Sequence, residues 1–115
     1  MSVTIYHNSR CSKSRQTFAL LEEKGVEFEV VEYLKTAPDV ATVKNLLSML
    51  GLSPRELMRK GEAVFKENNL ADDSLSDEQL ISAMVENPIL IERPIVVSNG
   101  KAAIGRPPES VLDIL

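Results

Sequence analysis

Between Val3 and Tyr33 the hydrophobic pattern changes period twice, and this stretch limits the possible fold more than any other. Val3-Thr4-Ile5-Tyr6 is short, β-branched and aromatic, which suits a strand. From Ser12 to Lys24 the pattern turns helical, with Phe18, Leu20 and Leu21 on one face and Gly25 at the C-terminal stop. Glu27 to Tyr33 (EFEVVEY) alternates apolar and acidic residues around Val30-Val31 and reads as a second strand. Strand, helix and strand in so short a span form a βαβ unit. Its strands must be parallel and its crossover right-handed, because a twisted strand feeding a right-handed helix returns to the same sheet only in that way.

The middle of the chain is helical. Asp39 is placed to cap a helix whose apolar positions are Val40, Val43, Leu46, Leu47 and Leu50, ending at Gly51. Ser53-Pro54-Arg55-Glu56 and Ser76-Asp77-Glu78-Gln79 both have the spacing of a capping box, the first with proline at the opening helical position. A short helix is expected between them, from Gly61 or Glu62 to about Asn68. The helix after Ser76 should bury Leu80, Ile81, Met84 and Val85 and stop near Asn87-Pro88. Pro94 to Ser98 and Lys101 to Ile104 flank Asn99-Gly100, a strong hairpin signal, and a last helix is expected from Pro107-Pro108 through Val111, Leu112 and Ile114. The order βαβ, helical block, β-hairpin, helix is that of an α/β, thioredoxin-like domain carrying a helical insertion. One domain over residues 1–115 is expected, with the insertion at about 39–87.

Charge excludes one class of partner. A net charge of −4 and a pI near 5.0 are the wrong sign for a nucleic-acid-binding domain. No apolar run approaches the roughly 20 residues of a membrane helix, and MSVTIYHN lacks the basic and apolar regions of a secretory signal. A chain with one cysteine forms no internal disulfide, so a reducing cytoplasm is the expected location.

That cysteine, Cys11, lies in YHNSRCSKSRQT, between the first strand and the first helix. A thiol at a helix N-terminus meets N–H groups with no intrahelical partner, and these favour negative charge. Arg10, Lys13 and Arg15 add positive potential nearby. Such surroundings lower a thiol from its ordinary ~8.5 into the range of about 3.5–7.5, giving the nucleophilic thiolate at neutral pH. The alternative is a small buried residue, the commonest fate of an unpaired cysteine. The absence of large apolar residues within four positions favours the reactive reading. Ser14 makes the motif C-x-x-S: it can hydrogen-bond a thiolate but cannot resolve a mixed disulfide, or it is simply an exposed residue of the first turn. His7 either supports the thiolate as an imidazolium or sits at the strand end with no role. Arg59, Arg93 and Arg106 are either ordinary solvated charges or, by their planar forks, oxyanion ligands, and the last two precede prolines that restrict where they point.

With these residues in view, the chain resembles the ArsC family, arsenate reductases that draw electrons from glutathione and glutaredoxin. YHNSRCSKSRQT resembles the family's N-terminal loop, and ELMRK (56–60), NPILIERPIVV (87–97) and GRPPESVLDIL (105–115) resemble its three arginine segments. The CSKS version and the ending after VLDIL resemble a shorter bacterial branch. The resemblance implies a thioredoxin-like (glutaredoxin-like) mixed four-stranded sheet. It implies Cys11 as nucleophile, His7, Ser14 and Arg15 as stabilisers of the thiolate and bound anion, and Arg59, Arg93 and Arg106 as oxyanion ligands. Pro94 is the implied cis-proline. Arsenate is the implied substrate, glutathione the co-substrate and glutaredoxin the partner, with no bound cofactor or metal. Two sister types fit less well. The Spx-type polymerase-binding regulators often switch through C-x-x-C, which Ser14 precludes here. A cluster-holding monothiol glutaredoxin would carry a glycine and an aromatic where Ser12 and Lys13 stand.

Overall fold

The computed structural model describes residues 3–115 and resolves them into two compact units, residues 3–36 with 93–115, and residues 37–92. The first unit contains the sheet. Strand β1 (Val3–Tyr6) is followed by helix α1 (Ser12–Glu23) and strand β2 (Glu29–Val31). The hairpin β3 (Ile95–Ser98) and β4 (Lys101–Ile104) and a closing 3₁₀ helix (Pro108–Ile114) complete it. The strand order is β2-β1-β3-β4. β1 pairs parallel with β2, Ile5 opposite Val30, and antiparallel with β3, Ile5 opposite Val96. This is the mixed four-stranded, thioredoxin-like sheet expected from the order of elements.

β1 alternates buried and half-buried residues, so Val3 and Ile5 enter the core. There they meet Leu21 of α1, Val96 of β3 and Val111 of the closing helix, with Phe18, Phe28 and Ile114 packed around them. The hairpin turn takes φ +56° at Asn99 and +74° at Gly100, the left-handed backbone that Asn-Gly tolerates. Two elements differ from expectation. β2 spans three residues instead of seven, because β1 offers partners only to Glu29–Val31 and the chain then turns, with the Lys35 and Thr36 N–H groups donating to the Glu32 carbonyl. The closing helix is 3₁₀, begun by proline, with the Ser110 N–H donating to the carbonyl of Pro107.

The second unit is helical: α2 (Val40–Leu50), α3 (Pro54–Leu57), α4 (Ala63–Glu67), α5 (Asp77–Glu86) and a 3₁₀ turn (Pro88–Leu90). Its buried residues include Val43, Leu46, Leu57, Leu80, Ile81, Met84 and Leu90, whereas Val85 is only half-buried. The Asp39 carboxylate accepts the Thr42 N–H, and Gly51 ends α2 at φ +68°. Both capping boxes form: Ser53 with Glu56, and Ser76 with Gln79. An antiparallel bridge, Met58 to Ile91, closes this unit, with the Arg59 N–H on the Leu90 carbonyl at 2.7 Å. No helix among the described residues is long and apolar enough to cross a membrane.

The Ser76 cap is exposed and acts on one helix, so it isolates a local contribution. Ser76→Ala removes the acceptor of the Gln79 N–H, and we expect it to lower stability by about 1 kcal/mol, read as a lower denaturant midpoint at unchanged slope.

Candidate active site

The site is assembled at the C-terminal end of β1. The chain leaves the sheet at His7, whose N–H still donates to the Val31 carbonyl, and makes a tight turn in which the Cys11 N–H donates to the Asn8 carbonyl at 3.0 Å. Asn8 shapes the turn twice more: its Oδ1 accepts the Arg10 N–H at 3.0 Å, and its own N–H donates to Ser14 Oγ at 3.0 Å. Arg15 ties the loop from outside, Nη1 donating to the Ser9 carbonyl at 3.0 Å. Cys11 then occupies the N-cap of α1 in an extended conformation.

Cys11 is 8% exposed, and its sulfur is the focus of several positive groups. Burial pushes the thiol pKa up. The Ser14 backbone N–H, the hydrogen bond and charge of the Arg93 guanidinium and the Lys13 N–H oppose that, and the thiol is held below its ordinary value. Neither amide closes a formal capping hydrogen bond to the side chain, so they act mainly through their dipoles. Arg106 Nη2 lies 3.5 Å from Sγ, and its Nε donates to the Arg93 carbonyl at 2.8 Å, which couples the two arginines. The Arg93–Pro94 and Arg106–Pro107 peptide bonds are both cis.

Ser14 is fully buried, contrary to an exposed first-turn residue. Its Oγ lies 2.6 Å from Nδ1 of His7 and accepts the Asn8 N–H, so its hydroxyl is engaged with the loop while its amide faces the sulfur. His7 also departs from expectation. Burial lowers its pKa, with Glu32 opposing and Arg15 reinforcing, so the neutral ring is favoured over the imidazolium. Its link to the thiol runs through Ser14, and its other face packs on Phe18 at 5.1 Å between centroids.

Arg59 belongs to the helical unit. Its Nε donates to Glu62 and its Nη1 to Glu92, each at 3.1 Å, with all three side chains half-buried. One guanidinium thus compensates two carboxylates, a pairing the spacing of these residues in sequence did not reveal. The role of Gly105 was also missed. A Cβ there would collide with Thr17 Oγ1 and come within 2.8 Å of Pro94 Cγ. The signal was present in a glycine directly after a strand and before Arg106-Pro107, where a close backbone approach is a standing possibility. Among the described residues, no group of three or more His, Cys, Asp or Glu is placed to hold a metal ion.

Comparison with known proteins shows the family. The ArsC family model matches residues 6–114. The chain is 66% identical to the uncharacterized protein YfgD of Escherichia coli K12, over 98% of this chain and 96% of that one. It is 46% identical to an arsenate reductase of Neisseria meningitidis, over 98% of this chain and 97% of the other. The solved structure of an arsenate reductase from Vibrio cholerae superposes with a TM-score of 0.97 at 57% identity, covering 100% of this chain and 98% of that one.

Two measurements check the electrostatics. Alkylation of Cys11 follows the thiolate, so its rate should rise with pH to a midpoint below that of a free thiol. Arg93→Ala and Arg106→Ala should each move the midpoint to higher pH and slow alkylation severalfold at pH 7. Gly105→Ala should cost about 1–3 kcal/mol of stability by overpacking and should also raise the midpoint, because Arg106 is displaced with the strand end.

Proposed function

Since the chain belongs to the ArsC family, we propose that it is an arsenate reductase using the Cys11 thiolate as nucleophile and glutathione with glutaredoxin as electron donors. The observation that carries this reading is the Arg106 guanidinium 3.5 Å from a Cys11 sulfur that Arg93 also bonds. A thiolate flanked by two guanidinium groups can both attack an oxyanion and receive one, because the charges that lower the thiol pKa also neutralise the incoming oxygens.

In this mechanism Cys11 attacks arsenic. An As–S bond forms, an As–O bond breaks and the oxygen leaves as water after protonation. Arg93 and Arg106 balance the charge on the remaining oxygens. Glutathione displaces a second oxygen. The glutaredoxin thiolate then attacks the glutathionyl sulfur, and the electron pair of that As–S bond stays on arsenic, taking it from As(V) to As(III). Water releases arsenite and restores Cys11. A chain with one cysteine requires external thiols for the two electrons. His7, Ser14 and Arg15 hold the loop in the geometry of attack, and a reducing cytoplasm suits the free thiol. Arg59, which also pairs with Glu62 and Glu92, is assigned with Arg93 and Arg106 to the bound oxyanion.

The test is arsenate-dependent NADPH oxidation coupled through glutathione reductase, glutathione and glutaredoxin. We expect turnover in the native chain, none in Cys11→Ser, and a fall in kcat/KM of about 10²-fold or more in Arg106→Ala. A native rate equal to that of Cys11→Ser would remove arsenate as the substrate. Turnover with thioredoxin in place of glutathione and glutaredoxin would overturn the assignment of donors.

A further inference from the structure

The sheet order gives the Cys11 loop two sides. β1 leads into the loop, with β3 on one flank and β2 on the other. Arg93 and Arg106 come from the ends of the hairpin strands, the β3 flank. On the β2 flank there is a cavity of about 270 Å³. One wall is the loop itself, residues 7 to 10, directly before Cys11. The other is Glu32, Leu34 and Lys35 from the turn after β2.

The loop wall is held by hydrogen bonds. Each of its turns is fixed by a bond already described, from the Asn8 carbonyl and amide side chain, from Ser14 Oγ and from Arg15. The other wall is built on the Glu32 carbonyl, which accepts two N–H groups. The lining chemistry is specific in sign. Arg10 and Lys35 are cations, Glu32 is an anion 3.6 Å from Lys35, and Leu34 is 41% exposed. Two positive groups, one negative group and an apolar surface complement a small ligand with two carboxylates, one ammonium and short methylene segments. In volume the cavity stands just under the lower end of small-molecule sites, about 300–1,000 Å³.

We propose that this cavity is the subsite for glutathione, with Arg10 and Lys35 taking its carboxylates, Glu32 its ammonium and Leu34 its methylenes. Glutathione carries two carboxylates and one ammonium, the inverse of the lining. The inference rests on the glutathione-dependent reading above. It adds that the oxyanion and the peptide thiol approach the sulfur from opposite flanks of β1, so both can be present at once.

A reaction without arsenate tests the subsite. The Cys11 thiolate attacks oxidised glutathione: the Cys11–glutathione S–S bond forms, the original S–S bond breaks, and one glutathione thiolate leaves. The neutral hydroxyethyl disulfide reacts in the same way without charges to recognise. The readout is the ratio of the two second-order rate constants, followed by mass at about 0.15 M salt, where exposed charges act over roughly 8 Å. Lys35→Glu is the variant, since its side chain is 76% exposed and reversal leaves packing alone. Lys101→Glu, on the exposed start of β4, makes the same change in net charge at the opposite edge of the sheet. We expect Lys35→Glu to lower the ratio at least about fivefold and Lys101→Glu to leave it near the native value. Equal ratios in the two variants overturn the subsite, whatever the arsenate assay gives. A lowered ratio in Lys35→Glu alone supports it, even in a protein that fails to reduce arsenate.

Discussion

Burying a thiol favours its neutral form, and the architecture around Cys11 opposes that tendency. The sulfur is largely out of water, yet its pKa is lowered, because the Ser14 and Lys13 amides and the Arg93 guanidinium outweigh desolvation. Arg106 adds a second guanidinium at 3.5 Å. The amides come from the N-terminus of α1 and the arginines from either end of a hairpin two strands away in sequence order. The thiolate is therefore stabilised only when βαβ unit and hairpin share one sheet. Central placement of β1 and β3 achieves that, with Ile5 opposite Val96 setting the register.

The polar groups under the loop serve this electrostatic arrangement indirectly. Ser14 could in principle give its hydroxyl to the sulfur. Instead Oγ is bonded to His7 and the Asn8 N–H, which fixes the turn so that the amide of Ser14 faces the thiol. Burial keeps His7 neutral, which suits a ring packed on Phe18 and linked to a serine better than a ring meant to carry charge. The residue types of YHNSRCSKS thus have a common purpose in geometry. The charge is supplied mainly by backbone dipoles and by arginines far away in sequence.

Much of this was legible before the structure. Hydrophobic periodicity located β1, α1 and α5, and the capping boxes at Ser53 and Ser76 formed as their spacing required, because both signals are local. Asn99-Gly100 specified its turn for the same reason. The losses are non-local. EFEVVEY is written as a strand of seven residues, but pairing is limited by the short β1 beside it. Helical periodicity at the C-terminus did not distinguish α from 3₁₀. Within the site, Cys11 announced itself by its neighbours, whereas the importance of Gly105 depends on Thr17 and Pro94 meeting it in space.

Arg59 shows what resemblance transfers and what it leaves open. Matching ELMRK to a family segment carries over a residue identity. It does not carry over the charge that residue presents, which depends on what stands beside it. Here the antiparallel bridge from Met58 to Ile91 brings Arg59 and Glu92 to neighbouring backbones, and Glu62 lies three residues further along the chain. The guanidinium bonds both carboxylates at 3.1 Å, giving a half-buried triad with a formal charge of −1. An anion approaching such a group must displace a carboxylate that is already well placed, and would leave that carboxylate facing another negative charge.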